Sequence, residues 1–294
     1  MRSLTAILFV ALTPASADRI VLHGDSIVKG YGFGNYTDPS PLRTLHGIFR
    51  ILLDANLPDP PEVPVLTYLW KVPIGPVDSV AKEVAGQVSR GEIRKGDWLI
   101  YEDAGGIDDS VHPAPWPDAT RMFERYRASL RGMIGEASKI LPRGRILLMT
   151  MFDYEPAAKC RWCRWDAPLD DGVHTGNGAI RAEARAAGVR LIDMNRIMDA
   201  ANKHVQDLGF GRVVGPDGIH PNVYGNYVMV LAISREIGYD IAGWNLAPLA
   251  TRFLNPASGG DVERVWGFTR DPSGDERREL LESLRRLVST EHPK

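Results

Sequence analysis

Residues 20–26 read Ile-Val-Leu-His-Gly-Asp-Ser, an apolar run that ends in small and polar residues. Such a run, followed at once by turn-forming residues, is typical of a buried strand. We predict this first strand at 19–22 and four more at 63–72, 97–102, 145–151 and 189–194.

Segments with helical periodicity separate the predicted strands. They lie at 42–55, 77–89, 119–140 and 178–187, and two more follow the last strand at 195–207 and 222–237. Strands that alternate with helices predict a parallel sheet covered on both faces. The expected fold class is therefore α/β, a three-layer α/β/α sandwich around a five-stranded, flavodoxin-like parallel sheet. In such sheets the ligand crevice lies outside the carboxyl ends of the strands.

A second motif, Asp-Gly-Ile-His-Pro at residues 217–221, lies just before the last core helix. Together with Ser26 it supplies the three side chains that acyl transfer needs. A serine hydroxyl becomes a good nucleophile when a base takes its proton, and a neutral imidazole suits that task near neutral pH. We predict Ser26 as the nucleophile, His220 as the base and Asp217 as the group that orients the imidazole ring.

The two motifs resemble the first and last blocks of the SGNH hydrolases, the GDSL-type esterases and lipases. The resemblance covers about residues 19–240. The glycine of the second block corresponds to Gly75. The third block, Gly-x-Asn-Asp in the family, corresponds to Tyr-Glu-Asp-Ala-Gly-Gly at residues 101–106, which lacks the asparagine. The resemblance implies no cofactor and implies carboxylic esters as substrates, such as acetyl groups on carbohydrates or acyl groups on lipids.

The resemblance also implies an oxyanion hole, the set of hydrogen-bond donors that stabilises the tetrahedral intermediate. In the family these donors are the backbone N–H of the nucleophile, that of the second-block glycine and the third-block asparagine side chain. Ser26 and Gly75 correspond to the first two. Two substitutes for the third remain open: Asn35 in the glycine-rich segment after Ser26, or the backbone N–H of Gly105 or Gly106.

The N-terminus has the features of a secretory signal. Arg2 precedes an apolar stretch at 4–12, and Ala15-Ser16-Ala17 matches a signal-peptidase site. About nine apolar residues are too few to cross a bilayer. We expect a cleaved signal peptide at residues 1–17, no stable membrane anchor, and a periplasmic or secreted protein. A buried N-terminal helix is the alternative.

Export gives the two cysteines a possible structural role. Cys160 and Cys163 lie close together in a predicted loop, and an oxidising compartment favours a disulfide between them. A zinc half-site is a weaker alternative, because no second cysteine or histidine pair has a matching spacing. A thioredoxin-like motif is weaker still, because the pair follows the fourth predicted strand and not the first strand of a βαβ unit. We predict no metal site, and we interpret the acidic residues at 102–109 as solvated.

The sequence after about residue 240 continues beyond the predicted core. We divide the mature chain into a hydrolase domain at 18–240 and a C-terminal extension at 241–294, which contains an amphipathic helix at 276–288. This extension either straps the back of the domain or makes an oligomer contact, and the oligomeric state stays open.

Two functions from different classes fit these patterns. The first is an exported serine esterase acting on a small-molecule or glycan ester. The second is a catalytically weak or inactive module of the same fold that binds an envelope glycan, an alternative suggested by the incomplete third block. The formal net charge of −2 and the lack of a lysine and arginine cluster argue against a nucleic-acid partner.

Overall fold

The computed structural model describes residues 19–24, 26–29, 44–67, 79–102, 119–152, 176–215, 220–254 and 267–290. Its strands are β1 (Ile20–Gly24), β2 (Val65–Thr67), β3 (Trp98–Tyr101), β4 (Ile146–Met149) and β5 (Arg190–Ile192). Its α-helices are α1 (Ser26–Lys29), α2 (Leu45–Asn56), α3 (Ser79–Ser89), α4 (Ala119–Ala137), α5 (Gly176–Ala187), α6 (Met194–Asp207), α7 (Val223–Ile237), α8 (Ala247–Leu254) and α9 (Gly274–Thr290).

The strands form one parallel sheet in the order β2-β1-β3-β4-β5. Strand β1 is paired on both sides, with Leu22 aligned to Val65 of β2 and to Ile100 of β3. All of its residues are buried, as expected for a strand covered on both faces. The predicted five-stranded parallel sheet is therefore confirmed.

Two helical layers cover the sheet. Helices α3, α4 and α5 pack side by side in one layer, whereas α2, α6 and α7 form the other. The short helix α1 packs against β1, β2 and α2. This arrangement confirms the predicted three-layer sandwich. No helix in the described ranges has both the length and the apolar composition of a membrane span.

A buried ion pair joins the amino ends of β1 and β3. Arg19 Nη2 lies 2.6 Å from Asp97 Oδ2, and Asp97 is fully buried. The same carboxylate oxygen accepts the backbone N–H of Arg94 at 2.8 Å. Removing one partner of such a pair leaves an uncompensated buried charge and typically costs about 3 to 5 kcal/mol. The pair therefore holds the central strands in register at the edge away from the crevice.

Two helices were absent from the sequence prediction. Helix α1 begins at Ser26, where we expected only a turn after the first strand. Helix α8 lies in the C-terminal extension, before the amphipathic helix that we predicted there. Pro248 falls in the first turn of α8, where a missing N–H costs no intrahelical hydrogen bond. The Asn245 side chain accepts the N–H of Ala247 at 3.0 Å and so supports the start of that helix.

The C-terminal helix α9 packs on the outer face of α6 and α7. Its buried side chains are Leu280, Leu281, Leu284 and Val288. The hydroxyl of Tyr227 in α7 donates to the carbonyl oxygen of Leu281 at 3.1 Å. Because α9 covers it, α7 is buried along almost its whole length, and 13 of its 15 residues are buried. A helix that is apolar on nearly all sides requires such cover on both sides.

We expect Leu284→Ala in α9 to destabilise the whole domain. The side chain is fully buried, and truncating a buried leucine typically costs about 2 to 5 kcal/mol. Urea unfolding of wild type and variant measures the change. Arg286→Ala, on the exposed side of the same helix, is the control and is expected to unfold within about 0.5 kcal/mol of wild type. Equal losses in the two variants would mean that α9 does not pack as described.

Candidate active site

The sheet order defines where the crevice lies. The chain passes from β1 to β2 on one side and returns to β3 on the other, so the strand order reverses at β1. In open α/β sheets ligands bind at this topological switch point, outside the carboxyl ends of the strands. The segments that follow β1 and β3 meet there: Glu102 donates its backbone N–H to the carbonyl oxygen of His23 at 2.9 Å.

Ser26 occupies the first position of α1, two residues after the end of β1. Ile27 and Val28, the next two residues of the helix, are buried and fix α1 against the core. The backbone N–H of Ser26 belongs to the first turn, where amide groups have no acceptor within the helix. Residue 26 is therefore held at the carboxyl edge by the packing of the two residues that follow it.

Gly24, at the end of β1, has no room for a side chain. A β-carbon built on it would lie 2.4 Å from Glu102 Oε2, 2.7 Å from Val28 Cγ2 and 2.9 Å from the Glu102 carbonyl oxygen. Glycine is therefore required here because β3 and α1 approach the backbone closely. The carboxylate of Glu102 is fully buried at this point.

His23 lies on the opposite face of β1 and is also fully buried. Its ring stacks on that of Tyr101 in β3, with centroids 5.3 Å apart. Burial lowers the pKa of His23 from 6.5 to about 4, and a side-chain hydrogen bond with Gln87 opposes this shift. His23 is thus neutral at physiological pH and belongs to the core.

The backbone around His220 is held on both sides. The N–H of Gly215 donates to the His220 carbonyl oxygen at 2.7 Å, and Val214 pairs with Pro221 in an antiparallel bridge. Asn222 then caps α7 by accepting the N–H groups of residues 224 and 225 at 3.0 and 3.1 Å. The imidazole itself is half-exposed. A hydrogen bond and a bridge therefore join residues 214–215 to residues 220–221.

The start of α7 lies at the same edge of the sheet as Ser26. Helix α6 begins directly after β5, so its first turns lie at the carboxyl edge. A β-carbon on Gly225, in the first turn of α7, would lie 3.2 Å from Met198 Cε in α6. The two helices therefore begin side by side. His220, three residues before α7, lies at the carboxyl edge as well.

A family model for GDSL-like lipase/acylhydrolase proteins matches residues 20–233. The chain belongs to this family. The resemblance to SGNH hydrolases is thereby confirmed, and the chain is a hydrolase that acts on ester bonds. No curated protein sequence matches it.

Solved structures of other esterases share the fold of this GDSL-family chain. A mutant of an acetyl-xylooligosaccharide esterase from Geobacillus stearothermophilus superposes with a TM-score of 0.52 at 20% identity, over 76% of this chain and 96% of that one. An acetylxylan esterase from the same organism gives a TM-score of 0.50 at 19% identity, over 76% and 96% of the two chains. At these identities the likeness establishes the fold.

The described residues include only part of the predicted site. They contain the backbone of Ser26 and the whole of His220, both at the carboxyl edge. The remaining predicted residues lie outside the described parts of the chain, and these are Asp217, Gly75, Asn35, Gly105, Gly106, Cys160 and Cys163. Within the described parts, no group of three or more histidine, cysteine, aspartate or glutamate side chains is placed to hold a metal ion.

Sequence reasoning missed two buried polar residues at the carboxyl edge of the sheet. We interpreted the acidic residues at 102–109 as solvated, and this is wrong for Glu102, which is fully buried directly after β3. Asn177, at the start of α5, accepts the backbone N–H of Met151 at 2.8 Å and donates to its carbonyl oxygen at 2.7 Å. This pair of hydrogen bonds fixes the chain just after β4. Its only sequence signal was a polar residue between two glycines near a predicted helix start.

We expect His23 to make the stability of the fold sensitive to acid. Between pH 6.5 and 4 the unfolded chain binds a proton at His23 that the folded chain does not, so stability falls as the pH decreases through this range and the loss is complete below it. The full effect is about 3 kcal/mol. Urea unfolding at a series of pH values measures it.

His23→Phe is the matched variant, because it keeps a ring against Tyr101 and removes the titration. Its stability at neutral pH is expected to be lower, since Gln87 loses a hydrogen-bond partner. Its dependence on pH between 6.5 and 4 is expected to be flatter than that of wild type. Parallel curves for the two proteins would show that His23 is not the acid-sensitive group.

Proposed function

We propose that the chain is an exported carboxylic ester hydrolase in which Ser26 is the nucleophile, His220 the general base and Asp217 the residue that orients His220. The observation that supports this most is the shared position of residues 26 and 220 at the carboxyl edge, beside the switch point, in a member of an acylhydrolase family.

The proposed reaction has two steps. His220 takes the proton of Ser26 as the serine oxygen attacks the ester carbonyl carbon, and a tetrahedral oxyanion forms. The oxyanion collapses, the alcohol leaves with the proton from His220, and the acyl group stays on Ser26. Water, activated by His220 in the same way, then releases the acid and restores the serine. Asp217 stabilises the imidazolium in both steps.

The oxyanion requires donors that are in place before it forms. We assign two of them to the backbone N–H groups of Ser26 and Gly75. Loss of one such donor typically lowers the rate about a hundred- to a thousandfold. Because the third-block asparagine is absent, Asn35 or the backbone N–H of Gly105 or Gly106 takes its place. Because glycine has no side chain, the oxyanion can come close to its backbone N–H, and this favours Gly105 or Gly106. The side-chain amide of Asn35, by contrast, offers the same kind of donor as the missing asparagine.

The substrate class that we propose is an acetylated carbohydrate or another small acyl ester. The solved esterases that share the fold are named for acetylxylan and acetyl-xylooligosaccharide, and this supports an acetyl ester. The leader at 1–17 supports release into the periplasm or the medium after cleavage. In that oxidising compartment we propose that Cys160 and Cys163 are bridged.

A binding module without efficient turnover is the second candidate. The missing third-block asparagine favours it, because a fold can persist without its activity. Release of acetate from an acetylated glycan would exclude a binding module without turnover. Tight binding of the same glycan without release would favour it over the esterase.

We expect Ser26→Ala and His220→Ala to lower the turnover of p-nitrophenyl acetate by about a thousandfold or more, because members of a triad act as a unit. Labelling of Ser26 by a fluorophosphonate probe, located by mass spectrometry, tests the nucleophile directly. The control variants are Ser89→Ala, on an exposed helix end, and His204→Ala, whose ring contacts Ser283 away from the site.

The controls are expected to keep wild-type turnover, and all four variants are expected to remain folded by circular dichroism. Wild-type activity in Ser26→Ala would exclude the serine mechanism. Failure of the probe to label Ser26, together with no turnover of any short-chain ester by the wild type, would exclude the esterase.

If Asn35 is the third donor, Asn35→Ala is expected to lower kcat about a hundredfold with little change in KM, because a donor to the oxyanion acts mainly in the transition state. Steady-state kinetics on p-nitrophenyl acetate measure both constants. Asn56→Ala, which removes a hydrogen bond to Asn245 far from β1, is the control. Unchanged kinetics in Asn35→Ala would assign the third donor to the backbone of Gly105 or Gly106.

A further inference from the structure

The side chain of Glu102 is an unusual feature of the carboxyl edge. It directly follows β3 and is fully buried. Carboxylates are rarely buried in this way, because transfer of a charged group out of water is costly unless hydrogen bonds compensate. At the amino edge the comparable buried carboxylate, that of Asp97, pairs with Arg19 as a structural link. Glu102 instead lies beside the segment that carries Ser26.

The contacts of Glu102 define its relation to that segment. The pairing of His23 with Tyr101 puts both side chains on one face of the sheet, so Gly24 and Glu102 both face the other side. There Glu102 Oε2 lies where a β-carbon of Gly24 would be, and Val28 Cγ2 borders the same space. Gly24 precedes Ser26 by two residues and Val28 follows it by two. The carboxylate therefore lies against both flanks of the turn.

We propose that Glu102 is the positioning residue for the nucleophile: its buried carboxylate holds the turn from Gly24 to Val28 and thereby sets the direction of the Ser26 hydroxyl and N–H. This inference rests on the proposed function, because it takes Ser26 as the nucleophile. A buried carboxylate requires hydrogen-bond donors, and the turn against which it packs offers backbone N–H groups. Glycine at position 24 is then explained, since any larger residue would displace the carboxylate.

The expected consequence follows from the geometry of attack. A shift of about 1 Å in a reacting atom can lower a rate about a hundredfold without weakening substrate binding. Glu102→Gln keeps the size of the side chain but replaces one acceptor oxygen with an NH2 donor, so on this proposal it weakens the hold of residue 102 on the turn. We therefore expect kcat to fall about ten- to a hundredfold, with KM within about twofold of wild type.

The experiment compares Glu102→Gln with Glu183→Gln in the full mature chain. Glu183 is also buried, but it pairs with Arg127 and Arg131 between α4 and α5. Both variants lose a buried carboxylate, and both are expected to lower the urea midpoint. Only Glu102→Gln is expected to lower kcat on p-nitrophenyl acetate and to slow fluorophosphonate labelling of Ser26. Wild-type kcat and labelling in folded Glu102→Gln would overturn the proposal, as would equal losses of kcat in both variants.

A second pair of variants decides the question if Glu102→Gln does not fold. Val28→Ala opens the space beside the carboxylate without changing any charge, whereas Val84→Ala makes the same truncation at a buried site in α3 on the other face. A fall in kcat and in labelling rate confined to Val28→Ala supports the proposal, and equal kinetics in the two overturns it. If the wild type is not labelled at Ser26, the proposed function fails instead.

Discussion

The pairing of β1 with strands on both of its sides is the constraint on which the rest of the structure depends. Because β2 and β3 take opposite sides of β1, the crossover helices fall on opposite faces and the order of the sheet reverses there. This reversal leaves a crevice at the carboxyl end of β1. Gly24 and Ser26 lie at this end of β1, and every other residue of the proposed site has to reach that point.

Much of this fold was predictable because buried parallel strands read as continuous apolar runs, and all five were found at the expected places. The boundaries were less predictable. The predicted run at 145–151 extends beyond β4 at both ends, because Arg145 belongs to a 3-10 turn and Thr150 and Met151 are buried after the strand has ended. Helix α8 is only eight residues long, and its stability comes from packing against α2 and α9, which its own sequence does not show.

The sequence also pointed to some residues of the candidate site and missed others. Ser26 and His220 became candidates because their motifs combine a reactive residue type with a position next to a core element, and the structure places both residues at the carboxyl edge. Glu102 and Asn177 did not become candidates, since their importance lies in contacts with residues distant in sequence: Glu102 with Gly24, and Asn177 with the backbone of Met151. A side chain that hydrogen-bonds a distant backbone group, or that fills the space beside a distant glycine, leaves no periodic pattern in the sequence. Such contacts become visible in the folded structure.

The two ends of β1 and β3 use buried polar groups for different purposes. At the amino end, Arg19 and Asp97 neutralise each other, so the pair links the strands without net buried charge. At the carboxyl end, His23 is kept neutral by burial, and the Glu102 side chain packs against Gly24 and Val28. A region optimised only for stability would favour apolar residues at these positions. The polar groups at the carboxyl end are better explained by the need to hold one turn in one conformation, a need that arises where a hydroxyl must meet a carbonyl carbon at a fixed angle.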